Sequence, residues 1–160
     1  MKAVLAIIAL IALQSVGAQT KPSKRTANSD RPPALSKEFQ TAGQLALEAI
    51  KRLDETGEES SVSYEPRRLD AEKAVSEARR KAKTAEDKHV TDVLNNFLQG
   101  LLTQRQTWGR DRLGKGEEKY WETAIFPCAV EADWYFGGEL TKEGIKTAKT
   151  STCTPDSKAK

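Results

Sequence analysis

The chain has 160 residues, with 26 Lys and Arg against 23 Asp and Glu, and a formal net charge of +3. That length suits one domain with a modest core, and a small charge of mixed sign argues against a nucleic-acid partner. Aromatic residues make up 6% of the chain and charged residues 31%, so a core can form in a few windows only.

The first 18 residues have the layout of a secretory signal peptide. Lys2 opens the segment, an apolar run over 3–13 follows, and Val16 and Ala18 supply small residues ahead of a cleavage point before Gln19. The apolar run is too short to span a bilayer, although a retained membrane anchor is the alternative. We expect an exported chain, secreted or periplasmic, with no transmembrane segment after cleavage.

Residues 19–34 are predicted to form a disordered, basic tether. They show no apolar periodicity, contain three prolines and carry Lys21, Lys24, Arg25 and Arg31. Such a segment can make weak electrostatic contact with an anionic envelope surface, or it can be a solvated spacer.

A first helix is predicted after Ser36, which is placed as its N-cap. Apolar residues recur at helical spacing up to Leu53, and Leu45 and Leu47 widen the stripe. The helix should end near Thr56-Gly57, before an acidic, serine-rich linker over 58–63.

One long central helix is predicted from Pro66 to about Trp108. Small residues follow a 4-3-4-3 spacing in its first half, which is typical of a closely packed helix pair. A heavier stripe follows, where the main core should form, and we expect a bend near the charged residues 86–88, which interrupt the stripe. Gly100 is predicted to be a kink or a point of close approach. The small residues are Ala71, Val75, Ala78, Ala82 and Ala85, and the heavier stripe is His89, Val93, Phe97 and Leu101 with Val90, Leu94, Leu98 and Leu102.

Glycines and prolines divide the remaining chain. A glycine-rich loop is expected over 109–116, then a helix from Glu117 that Pro127 kinks or restarts. Gly137-Gly138 should end this element, and Thr141 should cap a last helix over 142–150. We predict an all-α fold: a small antiparallel bundle that forms a single helical domain over 35–153, with a disordered polar tail over 154–160.

Cys128 and Cys153 are the chain's two cysteines, and they flank the last two predicted helices. In an exported chain this arrangement indicates a disulfide that staples a helical hairpin. Two free thiols or intermolecular pairing are the alternatives. Nothing resembles the C-x-x-C pattern of redox-active pairs.

The sequence offers little for catalysis, so we predict a protein that is not an enzyme and has no cofactor or metal. His89 is the single histidine, predicted to lie at the core edge or surface, with a weak metal or proton site formed with Glu86 and Asp92 as the alternative. Glu131 and Asp133 are two apart on a helix and should point to different faces. The loop over 109–116 lacks the spacing of a phosphate loop.

Aromatic side chains near the cysteines are the remaining candidates. Trp121, Trp134, Tyr135 and Phe136 are our candidate partner-binding residues, because aromatics on a rigid unit often form binding hot spots. Consecutive helical residues diverge by about 100°, so at least one of the triplet 134–136 should be partly exposed unless the N-terminal helix covers it. A small core around the disulfide is the alternative interpretation.

Residues 121–153 weakly resemble the exported helical proteins of the LprI-like lysozyme-inhibitor family. The resemblance lies in W-x6-C, in the run CAVEADWYFGG and in the later cysteine, and it implies an inhibitor. Our leading hypothesis is a non-enzymatic exported module that binds a protein or cell-envelope partner. The alternatives are that inhibitor and a small carrier of lipid or another apolar ligand, with a pocket between the stripe at Phe97–Leu101 and the aromatics.

Overall fold

A computed structural model of the chain describes residues 30–54, 61–108, 119–151 and 153, and these form an all-α bundle. The predicted signal peptide, the loop over 109–116 and the tail over 154–160 lie outside the described residues. The helices are α1 (Lys37–Asp54), α2 (Ser61–Lys81), α3 (Ala85–Trp108), α4 (Phe126–Tyr135) and α5 (Lys142–Thr150), with a π-helical turn over Trp121–Ile125 that leads directly into α4.

The pair α1 and α2 forms the most extensive helix–helix interface of the bundle. The two helices run antiparallel: Glu38 at the start of α1 lies 2.6 Å from the Lys83 ammonium just beyond the end of α2. Small residues fill the contact, which lets the two backbones approach closely. Its buried residues include Ala42, Ala46 and Ala49 from α1 and Ala71, Val75 and Ala78 from α2.

The apolar stripe predicted for the first helix is confirmed except at Leu45. Leu47 is buried, whereas Leu45 is 55% exposed. Leu45 lies on the face of α1 that it shares with the exposed residues Thr41 and Glu48, so it does not widen the buried stripe.

The predicted long helix is divided into α2 and α3. Helix α2 already begins at Ser61, inside the segment predicted as a linker, so Pro66 lies in its second turn. The break falls at 82–84, just ahead of the bend expected over 86–88, and α3 restarts at Ala85. Beyond the break the heavier stripe is buried as predicted, from Val90 to Leu101.

Gly100 is a point of close approach within α3. A Cβ built on this glycine would lie 2.8 Å from Cγ1 of Ile125, which is itself fully buried. The absence of a side chain at this position therefore lets the π-helical turn settle directly on α3.

The C-terminal hairpin, α4 and α5 joined at Gly137, follows the predicted caps. Gly137 has a φ of 80°, and the Gly138 amide donates to the Asp133 carbonyl at 2.8 Å, which closes α4 in the manner of a Schellman motif. The Thr141 hydroxyl accepts a hydrogen bond from the Gly144 amide at 3.1 Å and so caps α5.

Residues 30–36 lie against the C-terminal hairpin before α1 begins. The Asp30 carbonyl accepts a hydrogen bond from Trp134 Nε1 at 3.1 Å, and the Asp30 carboxylate lies 2.8 Å from the Lys149 ammonium. The hydrogen bond and charge of Lys149 hold the pKa of Asp30 below its ordinary value. The described part of the predicted tether is thus attached to the domain; residues 19–29 lie outside the described residues.

Candidate functional site

The two cysteines are joined by a disulfide between Cys128, in the first turn of α4, and Cys153, beyond the end of α5. Cys128 is 1% exposed. The Cys153 carbonyl also accepts a hydrogen bond from Asn96 Nδ2 of α3 at 3.3 Å. The cross-link therefore holds the chain after α5 against α4, and the hydrogen bond from Asn96 holds it against α3.

Trp134 and Tyr135, two of the predicted partner-binding aromatics, are buried at 8% and 5% exposure. Their rings pack edge to face at 5.3 Å between centroids, and Trp134 donates to the Asp30 carbonyl. The interpretation as a small core near the disulfide fits these two residues, whose buried rings offer little surface to a partner. The segment that covers Trp134 lies 104 residues away in the sequence.

Phe136, the third residue of the triplet, is partly buried because α1 covers it. Its ring centroid lies 6.5 Å from that of Phe39. A Cβ built on Gly43 would overlap the Phe136 ring. The ring therefore packs directly against the backbone of α1 at Gly43, where no side chain is present. The N-terminal helix thus covers Phe136, one residue of the triplet, whereas Trp134 and Tyr135 are covered by Asp30 and by α3.

Trp121 and Phe126 are two aromatic residues at the start of α4 whose side chains stay at least partly accessible. Trp121 is partly buried, and Phe126 is 44% exposed. The amide of Phe126 donates to the Trp121 carbonyl across five residues, so Phe126 lies one turn beyond Trp121 on the same side of the helix. We call these two side chains the aromatic surface.

Trp121 was predicted from the sequence to bind a partner, whereas Phe126 was not. Without the π-helical turn, an α-helical spacing of five residues places the two side chains on different faces. No residue pattern distinguishes a single π-helical turn from an α-helix, and Pro127 was the one local sign that the helix is irregular here.

A polar cluster joins α3 to α4 beside the buried aromatics. His89 Nε2 lies 2.7 Å from Oε1 of Glu131, whose side chain is 1% exposed, and the Tyr135 hydroxyl donates to Glu86. The rings of His89 and Tyr135 also meet edge to face, with centroids 6.2 Å apart. A buried carboxylate opposite a half-buried histidine locks two helices in register, and breaking such a pair is costly.

The cluster differs from the site predicted around His89. Glu86 binds Tyr135, and the partner of His89 is Glu131 of another helix. Glu131 and Asp133 point to different faces as predicted, since Asp133 lies 2.6 Å from the Lys51 ammonium of α1. Within the described ranges, no three His, Cys, Asp or Glu side chains are grouped as a metal site would require.

Asp87 forms a second buried polar junction, which the sequence analysis did not single out. Its carboxylate accepts hydrogen bonds from the amides of Lys83 and Thr84 and from the amide and hydroxyl of Ser36. Burial raises the pKa of this carboxyl, but these hydrogen bonds outweigh it and lower the pKa from 3.8 to about 2. Asp87 thus joins the start of α1 to the start of α3.

The predicted stripe at Phe97 and Leu101 belongs to the continuous buried core, at 2% and 6% exposure. Together with the stapled hairpin, the core defines a small, all-α, disulfide-bonded bundle. Within the described residues, no helix combines the length and apolar character that crossing a bilayer requires. The chain matches no protein-family model, no curated protein and no solved structure.

Proposed function

We propose that this protein is an exported, non-enzymatic interaction module whose C-terminal unit offers aromatic side chains to a protein or envelope partner. The observation that carries the proposal is the aromatic surface, on which Phe126 is 44% exposed within a unit that is otherwise packed and cross-linked. Large aromatic side chains in such settings supply much of the binding energy at interfaces.

The surroundings of the aromatic surface favour rigid presentation. Ile125 is fully buried against Gly100, immediately before Phe126 in the sequence. Cys128 follows two residues later and is cross-linked to Cys153. Because both flanks are fixed, a partner would pay little conformational entropy to order the Phe126 ring on binding.

The chemistry of the polar cluster supports a role without catalysis. A covalent mechanism needs a nucleophile beside its base, and both cysteines are engaged in the disulfide. His89 lies against the buried Glu131, where the pair holds α3 to α4. We therefore treat this cluster as part of the packing between helices.

The proposal is tested by placing a photo-crosslinking amino acid at position 126 in cells that produce the protein. Position 45 is the matched control, because Leu45 is an apolar helical side chain that is 55% exposed on a different helix, α1. We expect an adduct of defined mass from position 126 that is absent from position 45, and Trp121→Ala should lower its yield.

Two outcomes contradict the proposal. One is the absence of any adduct from position 126 under conditions in which the chain is produced and folded. The other is the same set of adducts from positions 126 and 45, which would indicate collisions with any exposed apolar side chain. Circular dichroism of the Trp121→Ala variant shows whether its effect arises from misfolding.

A further inference from the structure

Residues 30–35, with the sequence Asp-Arg-Pro-Pro-Ala-Leu, lie on the C-terminal hairpin and belong to no helix. We call this segment the strap. It contacts the hairpin through Asp30, and the chain that follows it is held at Ser36, whose amide and hydroxyl donate to Asp87 of α3. The two ends of the strap are therefore held by different parts of the bundle.

The hairpin holds Asp30 by two contacts of different kinds. Trp134 of α4 donates its ring N–H to the Asp30 carbonyl at 3.1 Å, and the Lys149 ammonium of α5 lies 2.8 Å from the Asp30 carboxylate. The first contact recognises a backbone group that every residue has, whereas the second selects a carboxylate. Together they specify an acidic residue in a stretch of chain whose backbone is open to contact.

Helix α5 presents a positive surface to this carboxylate. Its three lysines, Lys142, Lys146 and Lys149, recur at the spacing that places them on one side of the helix, and its one carboxylate is Glu143. The hydrogen bond from Lys149 lowers the pKa of Asp30, and the charges of Lys149 and Lys142 lower it further. An acidic residue is therefore favoured at this position over a neutral or a basic one.

Pro32 and Pro33 restrict the backbone of the strap. Each proline fixes its own φ at about −65°, and a residue that precedes a proline avoids the helical conformation. Such a segment loses little conformational entropy when it docks. This is the advantage that proline-rich peptides have when they bind to aromatic-lined grooves.

Much of the strap is exposed to solvent. Four of its six residues are exposed, and Pro32 and Leu35 are partly buried. The Asp30 side chain is 84% exposed in its ion pair with Lys149, and ion pairs with such exposed members add little stability. Because Ser36 is bonded to Asp87 separately, residues 30–34 can lift away while the start of α1 stays joined to α3.

We propose that Trp134 and the lysines of α5 form a binding site for an extended peptide in which prolines follow an acidic residue. In the free protein the strap fills this site, and a partner's segment of the same chemistry displaces it. The tethered strap has a high effective concentration at the site, so the free protein binds such a segment weakly. The site shares no residue with the aromatic surface, so the two proposals can fail independently.

The test follows the binding of a capped pentapeptide with the sequence of residues 30–34, Asp-Arg-Pro-Pro-Ala, to the purified protein. The peptide carries a nitroxide spin label at its C-terminal end. Broadening of the NMR signal from the ring N–H of Trp134, assigned with Trp134→Phe, then measures occupancy of the site.

The diagnostic variant is Asp30→Lys, which turns the ion pair with Lys149 into a repulsion and leaves the site itself unchanged. We expect it to bind the peptide at least about threefold more tightly than wild type, because the strap competes less well. Its matched control is Asp70→Lys, which reverses an exposed carboxylate of α2 for the same change in net charge. The control should bind the peptide as wild type does.

An exchange of charges shows where the peptide lies. Lys149→Glu should prefer a peptide in which lysine replaces the aspartate, by at least about fivefold over the original peptide. Asp30→Lys should keep the opposite preference, since its Lys149 is intact.

Equal affinities of Asp30→Lys and Asp70→Lys for the peptide would overturn the proposal. So would an unchanged peptide preference in Lys149→Glu, because the peptide would then bind elsewhere. Sedimentation equilibrium that shows dimers of wild type but not of Lys149→Glu, without broadening by the peptide, would instead assign the site to the strap of a second copy. Circular dichroism confirms that each variant is folded before the comparison is made.

Discussion

The α1–α2 pair and the C-terminal hairpin reach full burial by different physical means. Between α1 and α2, alanines bring two long helices together, and each alanine removes little apolar area from water. In the hairpin, the short helix α4 carries the buried Trp134 and Tyr135, and a disulfide joins it to the chain after α5. The chain has few aromatic residues, and several of them lie in the C-terminal hairpin. The helices there are too short to be stable without tertiary packing, so large buried side chains contribute most at this place.

The largest effect is expected from removing the disulfide. Cys153→Ser opens a loop that spans 25 residues of sequence, and we expect the free energy of unfolding to fall by about 3 kcal/mol. Urea unfolding with and without reductant measures this, because reductant should lower the stability of wild type and leave the variant unchanged. Hydrogen exchange should accelerate in α5 before it does in α1 and α2. Equal stability of the variant and the oxidised wild type would show that the packing alone holds the hairpin.

A smaller, pH-dependent effect is expected at Asp87, where α1 meets α3. Its pKa is lowered in the folded state, from 3.8 to about 2, so its contribution is complete above about pH 4 and is lost as the pH falls towards 2. By linkage the contribution is about 2 kcal/mol, and we expect Asp87→Asn to be less stable than wild type by up to this amount at pH 6.

Urea unfolding of wild type and Asp87→Asn between pH 6 and pH 2 tests this expectation, since the difference between them should shrink towards pH 2. Asp92→Asn is the control, because Asp92 is an exposed carboxylate on the same helix. A difference between wild type and Asp87→Asn that is the same at pH 6 and at pH 2 would contradict the linkage.

The smallest effect is expected within the alanine interface itself. Ala71 is 0% exposed between α1 and α2, and Ala71→Leu must push the two helices apart at a cost of at least about 1 kcal/mol. Thermal and urea unfolding measure the change, with the exposed Ala85→Leu as the control for the added side chain. A variant as stable as wild type would mean that the interface has room to spare and is less closely packed than the alanines indicate.

The sequence predicted those features whose cause is local. Gly137 at a positive φ and Thr141 as a cap act on neighbours within a few residues, and the alanine spacing in α2 is a property of one helix. The division of the long helix was placed a few residues too late, because the break depends on Asp87. That carboxylate binds Ser36, 51 residues earlier, as well as the nearby amides of the turn.

The candidate site was less predictable for the same reason. Burial of Trp134 requires Asp30 to lie over it, a contact across 104 residues that no periodicity encodes. The partnership of His89 with Glu131 likewise joins two helices, whereas sequence spacing pairs a residue with neighbours on its own helix. The exposure of Phe126 depends on a π-helical turn that the sequence analysis did not foresee.

The ion pair between Asp30 and Lys149 has a consequence for the order in which the molecule is completed. These two residues are 119 positions apart, and the chain is synthesised from its N-terminus. Helices α1 and α2 can therefore pair while the ribosome is still translating the hairpin, but the segment ahead of α1 lacks its contacts with Trp134 and Lys149 until the hairpin has been made. Residues 30–36 therefore dock late in folding, after the C-terminal hairpin is in place.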